Sequence, residues 1–79
     1  AEQVTIEYDL KQAARVSLEI YDLSGRRMAS FEEGKQEAGT HSIRWNGLGA
    51  NAEKAPAGFY VYRLNADNGL TSGLLQLTR

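Results

Sequence analysis

Seventy-nine residues suffice for one hydrophobic core and are too few for two, so the whole chain, 1–79, reads as a single domain. Nine Lys and Arg against ten Asp and Glu leave a net charge of -1, without the basic excess of a nucleic-acid binder, and no apolar run approaches the roughly 20 residues that span a bilayer. The absence of cysteine excludes a disulfide scaffold, a thiol nucleophile and a cysteine zinc site, while a start at Ala1 without initiator Met or signal peptide predicts a piece of a longer protein.

Apolar residues alternate between short clusters of Gly, Asn, Asp and Ser. Val4, Ile6, Tyr8 and Leu10 sit two apart with Glu7 and Asp9 on the opposite face, the pattern of a half-buried strand. Val16, Leu18 and Ile20 repeat it against Ser17 and Glu19. Asp22-Leu23-Ser24-Gly25 then predicts a tight turn, with Gly25 supplying a positive φ. Met28 and Phe31 mark a shorter, less regular strand that fades into Glu32-Glu33-Gly34-Lys35.

Alternation returns at His41, Ile43 and Trp45 and stops at Asn46-Gly47. Residues 46–57 have no period and hold the only proline, so they are expected as a long loop. From Gly58, Phe59 and Val61 on one face and Tyr60, Tyr62 and Leu64 on the other predict a strand buried on both sides or central in its sheet. Asp67-Asn68-Gly69 is a further turn, and Leu70 to Thr78 a last strand with Leu75 and Leu77 inward. Ala38-Gly39 and Ala57-Gly58 precede two strands in the same way, each with an arginine following at the same offset (Arg44, Arg63). No segment is long enough for an independent helix. About six or seven short strands with regular turn signals predict an all-β sandwich or small barrel. Tyr8, Leu18, Ile20, Trp45, Tyr60 and Tyr62 are its expected core.

Few side chains suggest chemistry. His41 is the only histidine, so no two-histidine metal site or catalytic pair exists. Ser24, Ser30, Ser42 and Ser72 lack a Gly-x-Ser-x-Gly elbow, and Gly47-Leu48-Gly49 lacks the third glycine and following helix of a phosphate loop. Glu7, Asp9, Glu19 and Asp22 come from neighbouring strands and would suit acid–base work if they met across a pair. The plainer reading makes them solvated charges on half-exposed sheets, balanced by Arg15, Arg44 and Arg63 across the strands. Asn46, Asn51 and Glu53 carry oxygen atoms of the kind calcium takes, but their spacing matches no EF-hand loop. A sugar-stacking row would need Trp45, Tyr60 and Tyr62 exposed, whereas their alternation with aliphatics is that of a core. The expectation is a non-enzyme with no cofactor, no metal and no small-molecule substrate.

Four stretches in fixed order carry a resemblance: Ile6-x-Tyr8-x-Leu10; Val16-x-Leu18-x-Ile20-Tyr21-Asp22-x-x-Gly25-Arg26; Ala38-Gly39-x-His41-x-Ile43-x-Trp45-Asn46-Gly47; and Ala57-Gly58-Phe59-Tyr60-x-Tyr62-Arg63-Leu64. The chain resembles the immunoglobulin-like domain shared by the flagellar hook-capping protein and the C-terminal sorting domains of the type IX secretion system, from Val4 to Arg79. The resemblance implies a small antiparallel immunoglobulin-like sandwich, the C-terminal module of a larger exported protein. A sorting domain would carry a covalently linked N-terminal cargo through the periplasm, engage the outer-membrane secretion machinery and reach the cell surface or the medium. The candidate signal is the last strand, with Leu75, Leu77 and Arg79. Ser72-Gly73-Leu74 stands where sorting domains often have a lysine, and the long 46–57 loop leans toward the hook-capping type. The alternative reading is therefore a structural spacer or interaction module of hook-capping type, or an accessory domain of a secreted carbohydrate-active enzyme.

Overall fold

A computed structural model describes residues 4–49, 53–67 and 69–78. Six strands follow one another: β1 (Val4–Leu10), β2 (Ala14–Tyr21), β3 (Arg27–Gln36), β4 (Gly39–Trp45), β5 (Gly58–Ala66) and β6 (Gly69–Leu77). They form two antiparallel sheets, a pair β1-β4 and a four-stranded sheet in the order β3-β2-β5-β6. The sheets face each other across one core, so the all-β sandwich expected from the alternation is the architecture observed.

The core is built by the period-two pattern. Along β2, Ala14, Val16, Leu18 and Ile20 are buried while the residues between them are exposed or half-exposed. Ile6, Tyr8, Ile43 and Trp45 close the cavity from the small sheet; Tyr60, Leu64, Leu75 and Leu77 join from the large one. Of the expected core residues, Tyr62 alone is only half-buried. It points inward, but its ring lies across Gly73 on β6, where a Cβ would stand 2.8 Å from the Tyr62 hydroxyl. The ring covers a strand glycine at the rim.

β3 departs from its expectation, while β5 meets one of the two readings open to it. The strand after the Asp22 turn is the longest of the six, at 10 residues, and it runs through Glu32-Glu33-Gly34-Lys35. Its register against β2 shifts twice, between Val16 and Ser17 and between Ile20 and Tyr21, so Glu33 and Met28 are extra residues on β3. Each bulge inverts the alternation, which is why the sequence pattern breaks there. β5 is central, yet not buried on both sides. Phe59 is 53% exposed, because none of the described elements packs on the outer face of the large sheet. Gly39 and Gly58, which open β4 and β5, both have positive φ (131° and 147°), giving the two Ala-Gly strand openings a common backbone form.

One buried group lacks a partner. The Tyr8 hydroxyl is buried without a hydrogen bond among the described residues, while the ring stacks on His41 at 5.6 Å between centroids. Burial pushes its ionisation upward, and the nearby Glu33 adds to the shift. A buried hydroxyl without a partner costs about 1–3 kcal/mol. Tyr8→Phe keeps the ring and removes that cost, so it is expected to raise the unfolding free energy by about 1 kcal/mol. Urea titration of both proteins checks this, and a loss of stability would mean that the hydroxyl does have a partner.

Candidate functional site

The groups singled out from the sequence do not converge. Glu7 and Asp9 lie on β1 in the small sheet, while Glu19 is on β2 in the large sheet and Asp22 just beyond it. β1 and β2 are not paired, so these four carboxylates form no acid–base pair across strands. Asp9 accepts a hydrogen bond from the Thr40 hydroxyl at 2.6 Å. His41 places Nε2 2.6 Å from the Glu37 carbonyl oxygen. Within Gly47-Leu48-Gly49, two amides serve their own loop: Leu48 N–H donates to Asn46 Oδ1 and Gly49 N–H to the Glu53 carbonyl, at 3.1 and 2.7 Å. Asn46 thus turns its side-chain oxygen to the backbone, while Asn51 lies outside the described residues. Trp45 and Tyr60 are buried in edge-to-face contact at 5.2 Å, so they offer no stacking row to a sugar. Leu75 and Leu77 are buried against the core, and Arg79 lies outside the described residues.

The densest polar arrangement is the Tyr21-Asp22-x-x-Gly25-Arg26 turn. Asp22 Oδ1 accepts from the Ser24 N–H, the Ser24 hydroxyl and the Arg26 N–H, at 3.0, 2.7 and 2.9 Å. The Asp22 N–H donates to the Arg26 carbonyl and the Gly25 N–H to the Asp22 carbonyl. Gly25 takes φ = 96°, which a side chain with a Cβ adopts only under strain. The motif is thus a carboxylate-centred turn that fixes where β3 starts.

Beside it, on the outer face, Glu19 accepts from Tyr21 Oη at 2.9 Å and pairs with Arg27 at 3.2 Å. Arg63, opposite Glu19 on β5, lies 5.9 Å over the Tyr21 ring. The expected balancing arginines are corrected in part. Arg63 faces a carboxylate, but Arg15 opposes Lys35 and Arg44 opposes Thr5. Arg26 and Arg27 make the ion pairs instead, Arg26 with Asp22 at 3.4 Å. A hollow of about 340 Å³ beside the turn is lined by Arg26, Arg27, Met28 and Lys54, with two of its cations already held by carboxylates.

These contacts hold Glu19 and Asp22 below the ordinary carboxylate range. For Glu19 the Tyr21 hydroxyl contributes most, followed by Arg27; for Asp22 the Ser24 hydroxyl leads, followed by the Arg26 amide. A carboxyl with a lowered folded value contributes stability above its unfolded pKa and loses it as pH falls through the folded one. The melting temperature is therefore expected to drop on acidification from pH 6 to pH 3. The double variant Glu19→Gln, Asp22→Asn starts lower at pH 6 and loses less. Calorimetry at both pH values measures the gap, and an equal gap in parent and variant would refute the assignment.

The outer face also carries an apolar row among its polar residues. Phe59 and Val61 on β5 lie beside Leu74 on β6 and Tyr21 on β2 by register, and Leu74 is 66% exposed. The sequence contained this signal in the apolar outer residues of β5, but alternation cannot tell a covered face from an open one.

Two opposed antiparallel sheets, with no helix among the described residues, define an immunoglobulin-like β-sandwich. The family follows from the sequence. A model of the FlgD Ig-like domain matches residues 1–69, and the chain belongs to that family. The fold is similar to two solved structures. One is FlgD from P. aeruginosa, with a TM-score of 0.76, 23% identity, 95% of this chain covered and 59% of that one. The other is FlgD from Xanthomonas campestris, described in connection with hook capping essential for flagellar assembly, with a TM-score of 0.73, 23% identity, 96% of this chain covered and 54% of that one. The chain thus spans little more than half the length of these structures. No curated protein matches it.

Proposed function

We propose that this domain is a non-catalytic structural module of hook-capping type, which spaces or seats a larger exported protein within an extracytoplasmic assembly. The observation that carries the reading is the match to the FlgD Ig-like domain over residues 1–69. The local chemistry supports it. The strongest polar cluster stabilises a turn, and the exposed groups are those of a contact surface. Its partners on this reading are neighbouring protein subunits and the covalently linked remainder of its own chain.

The test replaces the Ig-like domain of X. campestris FlgD with residues 1–79 in a strain lacking its own protein. Hooks and motility restored above a strain with the Ig-like domain deleted support the reading. A secreted, folded chimera that builds no hook, where reinsertion of the native domain does, would overturn it.

The sorting-domain reading rests on the resemblance of the last strand. Leu75 and Leu77 face the core, so a secretion machine recognising them would have to peel β6 away. An export assay separates the two readings. A fluorescent protein with a signal peptide and residues 1–79 at its end is expected to stay in the periplasm of a type IX bacterium. Its appearance at the surface or in the medium would favour sorting.

A further inference from the structure

We propose that the free edge of β6 pairs with β6 of a second copy of this chain, antiparallel about a two-fold axis at Ser72. Among the described residues, β6 ends the large sheet and is hydrogen-bonded to β5 only; β1 passes near it without pairing. Its unpaired backbone groups are a template for another strand.

The two edges of the large sheet differ sharply. β3 carries Arg27, Glu32, Glu33 and Lys35 and two bulges, the devices that keep a strand edge from being extended. β6 has none of them: it runs 9 residues without a charge, a proline or a register shift against β5. It is the one strand of the six without a charged residue. In a two-fold pair each residue faces another from the same strand, so any charge near the axis would sit close to its own copy. On β6 that repulsion does not arise.

The side chains choose the register. Leu70, Ser72, Leu74 and Gln76 project from the outer face, and Leu70 and Leu74 are 52% and 66% exposed. An axis through Ser72 sets Leu70 of each copy against Leu74 of the other, with the two Ser72 hydroxyls between them. Both exposed leucines gain an apolar neighbour, and Val61 and Phe59 extend the row behind Leu74. Directly opposed outer-face pairs of this kind are the unit of sheet stabilisation. A single strand edge buries less than the roughly 1,200 Å² of a stable complex, so the association is weak, with a dissociation constant of roughly 0.1–1 mM.

The experiment is sedimentation equilibrium of the 79-residue chain from about 0.01 to 1 mM, a range that brackets this affinity. The average mass is expected to climb toward twice that of the monomer. Ser72→Lys, which puts two ammonium groups face to face, should remain monomeric, while Ser30→Lys on the outer face of β3 should associate as the parent does. Circular dichroism of each variant checks the fold. Because the chain has no cysteine, Ser72→Cys gives one thiol per copy, with facing Cα atoms about 4.5–5.5 Å apart, within disulfide reach. It should cross-link faster than Ser30→Cys, and this arm decides if Ser72→Lys fails to fold. A monomer at every concentration, a dimer unaffected by Ser72→Lys, or equal cross-linking of the two cysteine variants would overturn the proposal.

Discussion

Trp45→Ala is expected to lower the unfolding free energy by about 3–5 kcal/mol, the cost of truncating a buried Trp. Trp45 is 1% exposed and ends β4 opposite Val4, with Ala55 buried in the same core cluster. Its ring meets the edge of Tyr60, and its indole N–H donates to the Leu48 carbonyl at 3.0 Å. Truncation therefore opens a cavity and also releases the loop. Domains of this size hold only about 5–15 kcal/mol in total, so the variant should be partly unfolded at modest temperature. Trp45→Phe separates the two effects, keeping most of the apolar volume but losing a hydrogen bond of about 1 kcal/mol. Urea unfolding followed by circular dichroism measures both. An unchanged midpoint in Trp45→Ala would show that the indole is not holding the sheets together.

Removal of residues 73–79 is expected to abolish cooperative unfolding altogether. The cut takes away Leu75 and Leu77, the latter 1% exposed, and every β6 residue paired with β5 from Gly58 to Tyr62. Two buried leucines are each worth about 1.5–3 kcal/mol in transfer alone, and the flank of Tyr60 is opened to water as well. That loss is comparable with the whole margin. By contrast, Leu74→Ala on the same strand should change stability by less than about 0.5 kcal/mol, since Leu74 is mostly solvated. Calorimetry distinguishes them: no transition for the truncation, a parent-like one for Leu74→Ala. An export defect seen only after truncation would thus report a lost fold, and outer-face substitutions are the proper controls for any sorting signal.

Local alternation made most of the strands legible. Val16, Leu18 and Ile20, or His41, Ile43 and Trp45, declare their inward face because one side of each strand meets the core and the other meets water. β3 was obscured by its two bulges, since the residues after Glu33 and Met28 change face and no single period fits. Tyr62 has the inward position of a core residue but sits over a glycine at the rim, so its neighbours fail to close over it. Pairing between strands was out of reach. Nothing local says that β1 joins β4 and leaves β2, and so nothing separates Glu7 and Asp9 from Glu19 and Asp22. The Tyr21-Asp22-x-x-Gly25-Arg26 signature was readable as a turn because its chemistry is local. The open outer face and the uncharged edge emerge only once strand order is known.

The segregation of β1 and β4 into a sheet of their own also governs the order of assembly. β2 with β3 and β5 with β6 are hairpins, and each closes across a short turn, the first one pre-shaped by Asp22. β1 finds its partner only across a gap in which even the nearest pair, Leu10 and Gly39, encloses all of β2 and β3. Closing so long a loop costs chain entropy before any contact repays it. Among the described residues no backbone ladder joins the small sheet to the large one, so β1 is kept in place by β4 and by side-chain packing. On that argument β1 is expected to dock last and peel first, and its amides should exchange with solvent before those of the four-stranded sheet.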